Sequence, residues 1–110
     1  LTAKSSGTTL FAKDRNDRAL VWFEAADASL NDVKTIKIKD AKYKDVFEII
    51  DYRDGSYAIA FKDGKLHESI AKQLEKKSSV SITLSLDVFM EGNESAKANT
   101  TQKVKLTIVK

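Results

Sequence analysis

The sequence predicts an all-β sandwich, and three observations predict it. Across residues 80–88 every even position is apolar and every odd one polar, so Val80, Ile82, Leu84, Leu86 and Val88 line one face of a strand. The run over 103–108 repeats the pattern with Val104, Leu106 and Ile108. Two β-rich runs, 47–52 and 56–61, flank Arg53-Asp54-Gly55, a hairpin signal because glycine tolerates the positive φ that such turns need. Strands with one dry and one wet face suit antiparallel sheets packed on one side.

The remaining elements follow the same logic. Residues 33–39 alternate with Ile36 and Ile38 inward, and Tyr57, Ile59 and Phe61 share a face. Residues 18–25 read as a strand without clean alternation, and an N-terminal strand over 8–13 pairs at an edge. One segment breaks the period: Leu66, Ile70 and Leu74 recur every four residues with Ala71 beside them. That is a one-stripe amphipathic helix over 66–77, linking two strands across one end of the sandwich. Residues 92–101 are the most loop-like stretch. About seven strands with turn residues between them favour an immunoglobulin-like antiparallel sandwich.

The chain of 110 residues is expected to form a single domain, 1–110, and to be a module of a larger protein. With 42% hydrophobic and 32% charged residues it has the composition of a globular domain, and about two-thirds of its extended-chain surface is expected to be buried. No apolar run approaches the length of a membrane span, so membrane insertion is not expected. The net charge of +3 is small and evenly spread, as in Lys13-Asp14-Arg15-Asn16-Asp17-Arg18, which does not favour nucleic acid as a partner. The absence of proline leaves edge protection to lysine.

Cysteine is absent, which removes disulfides, zinc ribbons and thiol chemistry; His67 is the only histidine. No catalytic residue, metal ligand set or cofactor is expected. Acidic residues fall in turns (Asp14, Asp17, Asp54, Asp63) or on wet strand faces (Glu48, Asp87), with no pair standing out for acid–base work. Asp14, Asn16 and Asp17 offer calcium-type oxygens but lack the glycine and distal glutamate of a calcium loop, and the interleaved arginines oppose a cation. His67, beside Glu68 at the start of the helix, is expected to be solvated or half-buried. Asn93-Glu94-Ser95 and Asn99-Thr100-Thr101 match the glycosylation pattern, to which no function is attached.

The aromatic residues carry the one binding hypothesis. Either Val21 and Phe23 fill the core and Trp22 looks outward, or Trp22 is the core residue; burial of Trp22 is the favoured alternative. An outward Trp22 near Tyr43 or Tyr52 would make a flat platform for a sugar ring or a partner surface. Phe89 falls on the wet face with Asp87 by strict alternation, where a helix or loop is expected to cover it.

The stretch Tyr57-Ala58-Ile59-Ala60-Phe61-Lys62-Asp63-Gly64, the helix over 66–77 and the strands over 79–91 and 101–110 resemble Ig-like modules of clostridial and related bacterial extracellular proteins. The likeness spans residues 47–110 and is one of pattern. It implies an accessory, spacer or binding unit of a cell-surface, cellulosome-associated or carbohydrate-active protein, with no catalytic residues to carry over. The expected function is therefore a non-catalytic module, secreted or at the cell surface, monomeric, that spaces or orients neighbouring modules of its own polypeptide. Two alternatives stand beside it: carbohydrate binding through Trp22, Tyr43 and Tyr52, and adhesion to a cell-surface protein through an exposed edge strand.

Overall fold

In the computed structural model residues 2–5, 9–24 and 33–110 are described, 2–5 and 24 by their backbone alone. The strands are β1 (Thr2–Ser5), β2 (Thr9–Phe11), β3 (Arg18–Glu24), β4 (Val33–Ile38), β5 (Phe47–Asp51), β6 (Ser56–Phe61), β7 (Ser79–Met90) and β8 (Thr100–Val109). One helix, α1 (Glu68–Leu74), joins β6 to β7, and 3-10 turns occupy Ala41–Tyr43 and Lys62–Gly64. The strands form two four-stranded sheets, β1-β3-β6-β5 and β2-β8-β7-β4. The fold is an all-β sandwich.

The strands with the clearest alternation form its centre. β7 and β8 pair antiparallel from Ser79↔Val109 to Val88↔Thr100. Val80, Ile82, Leu84, Leu86, Val88, Val104, Leu106 and Ile108 are all buried, as the period of two requires. They meet Val21, Phe47, Tyr57, Ile59 and Phe61 of the other sheet in one core. The rings of Phe47 and Phe61 stack with centroids 6.3 Å apart. Among the described residues no polar or charged side chain is buried. Each fully buried large aliphatic or aromatic side chain contributes about 1.5–3 kcal/mol relative to exposure.

Three expectations need correction. The N-terminal strand is shorter than 8–13 and is preceded by β1, whose Thr-Ala-Lys-Ser carries no apolar pattern to announce it. β2 runs parallel to β8, so the sandwich is not antiparallel throughout. The helix covers Glu68–Leu74 rather than 66–77. His67 is extended (φ −63°, ψ 142°), and its Nδ1 accepts the Ser69 N–H at 3.1 Å, so the helix cannot begin earlier. Leu66 still packs on the core from the extended lead-in, and Ile70 and Leu74 supply the buried stripe.

The hairpin β5–β6 turns where Asp-Gly predicts it. Gly55 lies at φ +89° and Arg53 at φ +59°, the left-handed region. Side chains offset the cost of that backbone: Asp51 accepts the Arg53 N–H at 2.8 Å and Asp54 accepts the Ser56 N–H at 2.9 Å.

The sandwich has two distinct poles. At one, β2 ends beside Val109, residues 12–17 turn into β3, the chain leaves β6 through Lys62–Gly64, and α1 leads into β7. At the other lie the 52–55 turn, the 91–99 loop and the start of β1, where Thr2 pairs with Glu24. The first strand therefore starts at one pole and the last ends at the other, along a body whose longest extent is 45 Å.

Candidate functional site

β3 decides where the tryptophan points. Ala19 and Val21 are buried, and Phe23 packs on the core with its ring edge-on to Tyr57 at 6.1 Å. The inward positions are thus filled, and Arg18, Leu20 and Trp22 face outward. Trp22 is half-buried on the outer face of its sheet, which corrects the expectation of a core tryptophan. Sequence could not choose, because residues 19–23 are apolar without a break and show no period.

β6 and β5 complete this outer face. Opposite Leu20 stands Ala58, and beyond it Ile50; opposite Trp22 stands Ser56, whose carbonyl accepts the Tyr52 N–H at 3.3 Å. Tyr52 lies 39% exposed and Leu20 40% exposed. Arg18 Nη1 donates to Tyr52 Oη at 3.0 Å. Beneath them Ala58 and Ala60 are buried although they lie opposite to the core. The result is a shallow platform: an alanine floor, an aromatic residue on each side of Ser56, and a guanidinium at one end.

Trp22 and Tyr52 are thus brought to one face, and Tyr43 is not. Tyr43 sits in the turn between β4 and β5, its ring 6.2 Å from that of Phe47, with Lys42 Nζ 4.9 Å above it. The platform residues that sequence reading missed are Arg18, Leu20, Ile50 and the two alanines. A signal existed: small alanines at 58 and 60, where a wet face would carry polar residues, mark a covered outer surface.

The other candidates serve local structure. Asp14 Oδ1 accepts the Asn16 N–H at 3.0 Å, and the Asp17 carboxylate accepts from Phe11 and Arg18 N–H groups. These carboxylates close the 12–17 turn, and no group of three or more metal-ligating side chains occurs among the described residues. Glu48 accepts the Asp63 N–H at 2.7 Å, holding the 62–64 turn. Phe89 lies on the outer face, and Lys37, with its Nζ 5.2 Å from the ring centroid, covers it in place of the expected helix or loop. Asn93 Nδ2 donates to Lys97 O and to Asn99 Oδ1, so both asparagines brace the 91–99 loop.

Hollows lie along α1, and two of them also touch the sandwich. One, of about 340 Å³, is lined by Ala12, Arg15, Leu66, Ala71 and Leu74 among others. The second, of about 330 Å³, lies between α1, the Ala41–Tyr43 turn and β7. Among the described residues no helix is long and apolar enough to cross a membrane. Comparison of the chain with family models, curated proteins and solved structures gave no match.

Proposed function

We propose that this domain is a non-catalytic, Ig-like module of a secreted or cell-surface bacterial protein, holding neighbouring modules apart and in line. The carrying observation is the polarity of the sandwich: β1 starts at one pole and β8 ends at the other, along a 45 Å body. A module so threaded adds its length to a chain of modules instead of folding the chain back. The sheet order β1-β3-β6-β5 facing β2-β8-β7-β4 supports the Ig-like reading, since the immunoglobulin sandwich sets strands A, B, E and D against C, F and G. The cross-braced loops and the close-packed core of aliphatic and aromatic side chains suit a stiff unit.

The test is small-angle scattering on one copy and on two copies fused head to tail. The expected result is a maximum dimension that grows by about one body length, near 45 Å. Two copies that fold side by side would overturn the reading.

A second reading, carbohydrate binding, is favoured by the joint exposure of Trp22 and Tyr52 on one platform with the Arg18 guanidinium. Tryptophan fluorescence titrated against a panel of polysaccharides tests it. A saturable change that disappears in Tyr52→Ala supports glycan binding, and no response from any polysaccharide removes it.

A further inference from the structure

β7 is longer than the strand beside it. β4 pairs with β7 down to Ile38↔Leu86, after which Lys39 N–H donates to Ser85 O at 2.9 Å and Asp40 Oδ2 accepts Ser85 N–H at 2.8 Å. The chain then turns away through Ala41–Tyr43. Backbone groups of a strand point to alternate sides. Since Ser85 directs both its groups toward β4, Ser81 and Thr83 direct theirs the same way. No described strand lies there to receive them. Two N–H donors and two C=O acceptors thus form a short open ladder.

The surroundings of this ladder differ from those of the neighbouring edge. β4 also has no described strand on its outer side, but it carries Lys34 and Lys37, with Lys39 just beyond, the charged guard that blunts edge pairing. Ser81-Ile82-Thr83 carries no charge. Alongside Ser81 and Ile82 lies the hollow of about 330 Å³ lined by Lys42, Tyr43, His67, Ser69, Ile70 and Gln73. Its inner wall is apolar, from Tyr43, Ile70, Val80 and Ile82, and its fixed charge is the Lys42 ammonium with no carboxylate in the lining.

From this juxtaposition we infer that the 81–83 edge of β7 is a docking site for an extended acidic peptide segment of a partner protein, added as a short antiparallel strand. Residues opposite Ser81 and Thr83 exchange backbone hydrogen bonds with them. The residue between them, opposite Ile82, turns a small aliphatic side chain into the hollow against Tyr43 and Ile70. A flanking carboxylate meets Lys42. Backbone bonds supply the attraction, and the pocket and the charge supply the selection. This inference is independent of the in-line arrangement proposed above.

The test is nuclear magnetic resonance on the nitrogen-labelled full chain, titrated with the capped peptide Ac-Glu-Thr-Val-Thr-Glu-NH2. The expected result is saturable movement and slowed exchange of the Ser81 and Thr83 amides, with a dissociation constant in roughly the millimolar range or tighter. The lysine counterpart, Ac-Lys-Thr-Val-Thr-Lys-NH2, binds about two- to fivefold more weakly, the range for one exposed ion pair, and Lys42→Glu reverses that order. N-methylation of the two threonines, which removes the peptide's ladder donors without touching the protein, abolishes binding. The inference is overturned if the Ser81 and Thr83 amides do not respond, if the movements map to the β4 edge, or if the N-methylated peptide binds equally well.

Discussion

Arg18 opens β3 and Tyr52 lies just past the end of β5, with β6 between those strands, yet Arg18 Nη1 donates to Tyr52 Oη at 3.0 Å. The register places Ala58 between them, and that alanine is buried on the outer side of the sheet. The bridge and its neighbours Leu20 and Ile50 thus form a thin second layer over β6. A double-mutant cycle of Arg18→Met and Tyr52→Phe isolates it. Because both groups face solvent, the coupling read by urea denaturation is expected at about 0.5–1 kcal/mol.

The two faces of the sheet predict different costs for aromatic truncation. Phe61 is buried and stacked on Phe47, so Phe61→Ala opens a core cavity and is expected to cost about 3–5 kcal/mol. Trp22, though larger, rests half-buried on the outer face, where water and neighbouring side chains can refill its place. Trp22→Ala is expected to cost about 1–2 kcal/mol. Denaturation midpoints for the two variants check the order, and equal losses would mean that Trp22 belongs to the core.

The contrast between β7 and β3 explains which parts of the molecule could be read from sequence. β7 has a solvated outer face of Ser81, Thr83, Ser85 and Asp87, so its pattern betrays its burial residue by residue. β6 is covered on both faces, by the core on one side and the platform on the other, and β3 supplies apolar residues of that platform, Leu20 and Trp22, on its outer face. Their apolar runs are therefore continuous, and a continuous run hides its period. The same coverage concealed the platform itself, because Arg18, Trp22 and Tyr52 converge only through the β3–β6–β5 register. β1 is unreadable for the opposite reason: a strand of four residues joined to an edge needs no apolar pattern, only backbone pairing to Val21, Trp22, Phe23 and Glu24.

Asp40 ends the β4 ladder with its side chain. Its Oδ2 takes the Ser85 N–H at 2.8 Å in a partly buried position where the strand's own carbonyl would otherwise sit. Asp40→Ala leaves that donor without a partner and is expected to cost about 1–3 kcal/mol, while Asp40→Asn keeps an acceptor and costs less. Amide hydrogen exchange at Ser85 provides the local readout: it speeds up in Asp40→Ala and stays slow in Asp40→Asn.

Asp54 in the hairpin turn is held below its ordinary value of 3.8, chiefly by the Ser56 hydroxyl and then by the Ser56 N–H. Both bonds favour the ionised form. The contribution to folding is thus present above the ordinary value and is lost as pH falls through the lowered one. Ser56→Ala removes the hydroxyl and leaves the N–H, so the Asp54 titration is expected to move part of the way back up. A carboxyl-detected titration measures this, and an unmoved midpoint would show that the hydroxyl is not the main cause.

Tyr57 makes the opposite case at alkaline pH. Burial of its ring, with the charges of Asp51 and Glu91 adding to it, raises the phenol above its ordinary value of 10.0. The folded chain then holds the phenolic proton more tightly than the unfolded chain does. The corresponding stability is complete below 10.0, declines as pH rises from there, and is gone once the pH has passed the raised value. Tyr57→Phe keeps the ring that meets Phe23 and removes the titrating hydroxyl. Lysines also titrate in this range, so the quantity to compare is the difference between the two chains. Urea denaturation about one unit below and one unit above 10.0 is expected to show the native chain losing more stability than Tyr57→Phe over that interval. Parallel alkaline limbs would mean that Tyr57 ionises as freely in the folded chain as in the unfolded one.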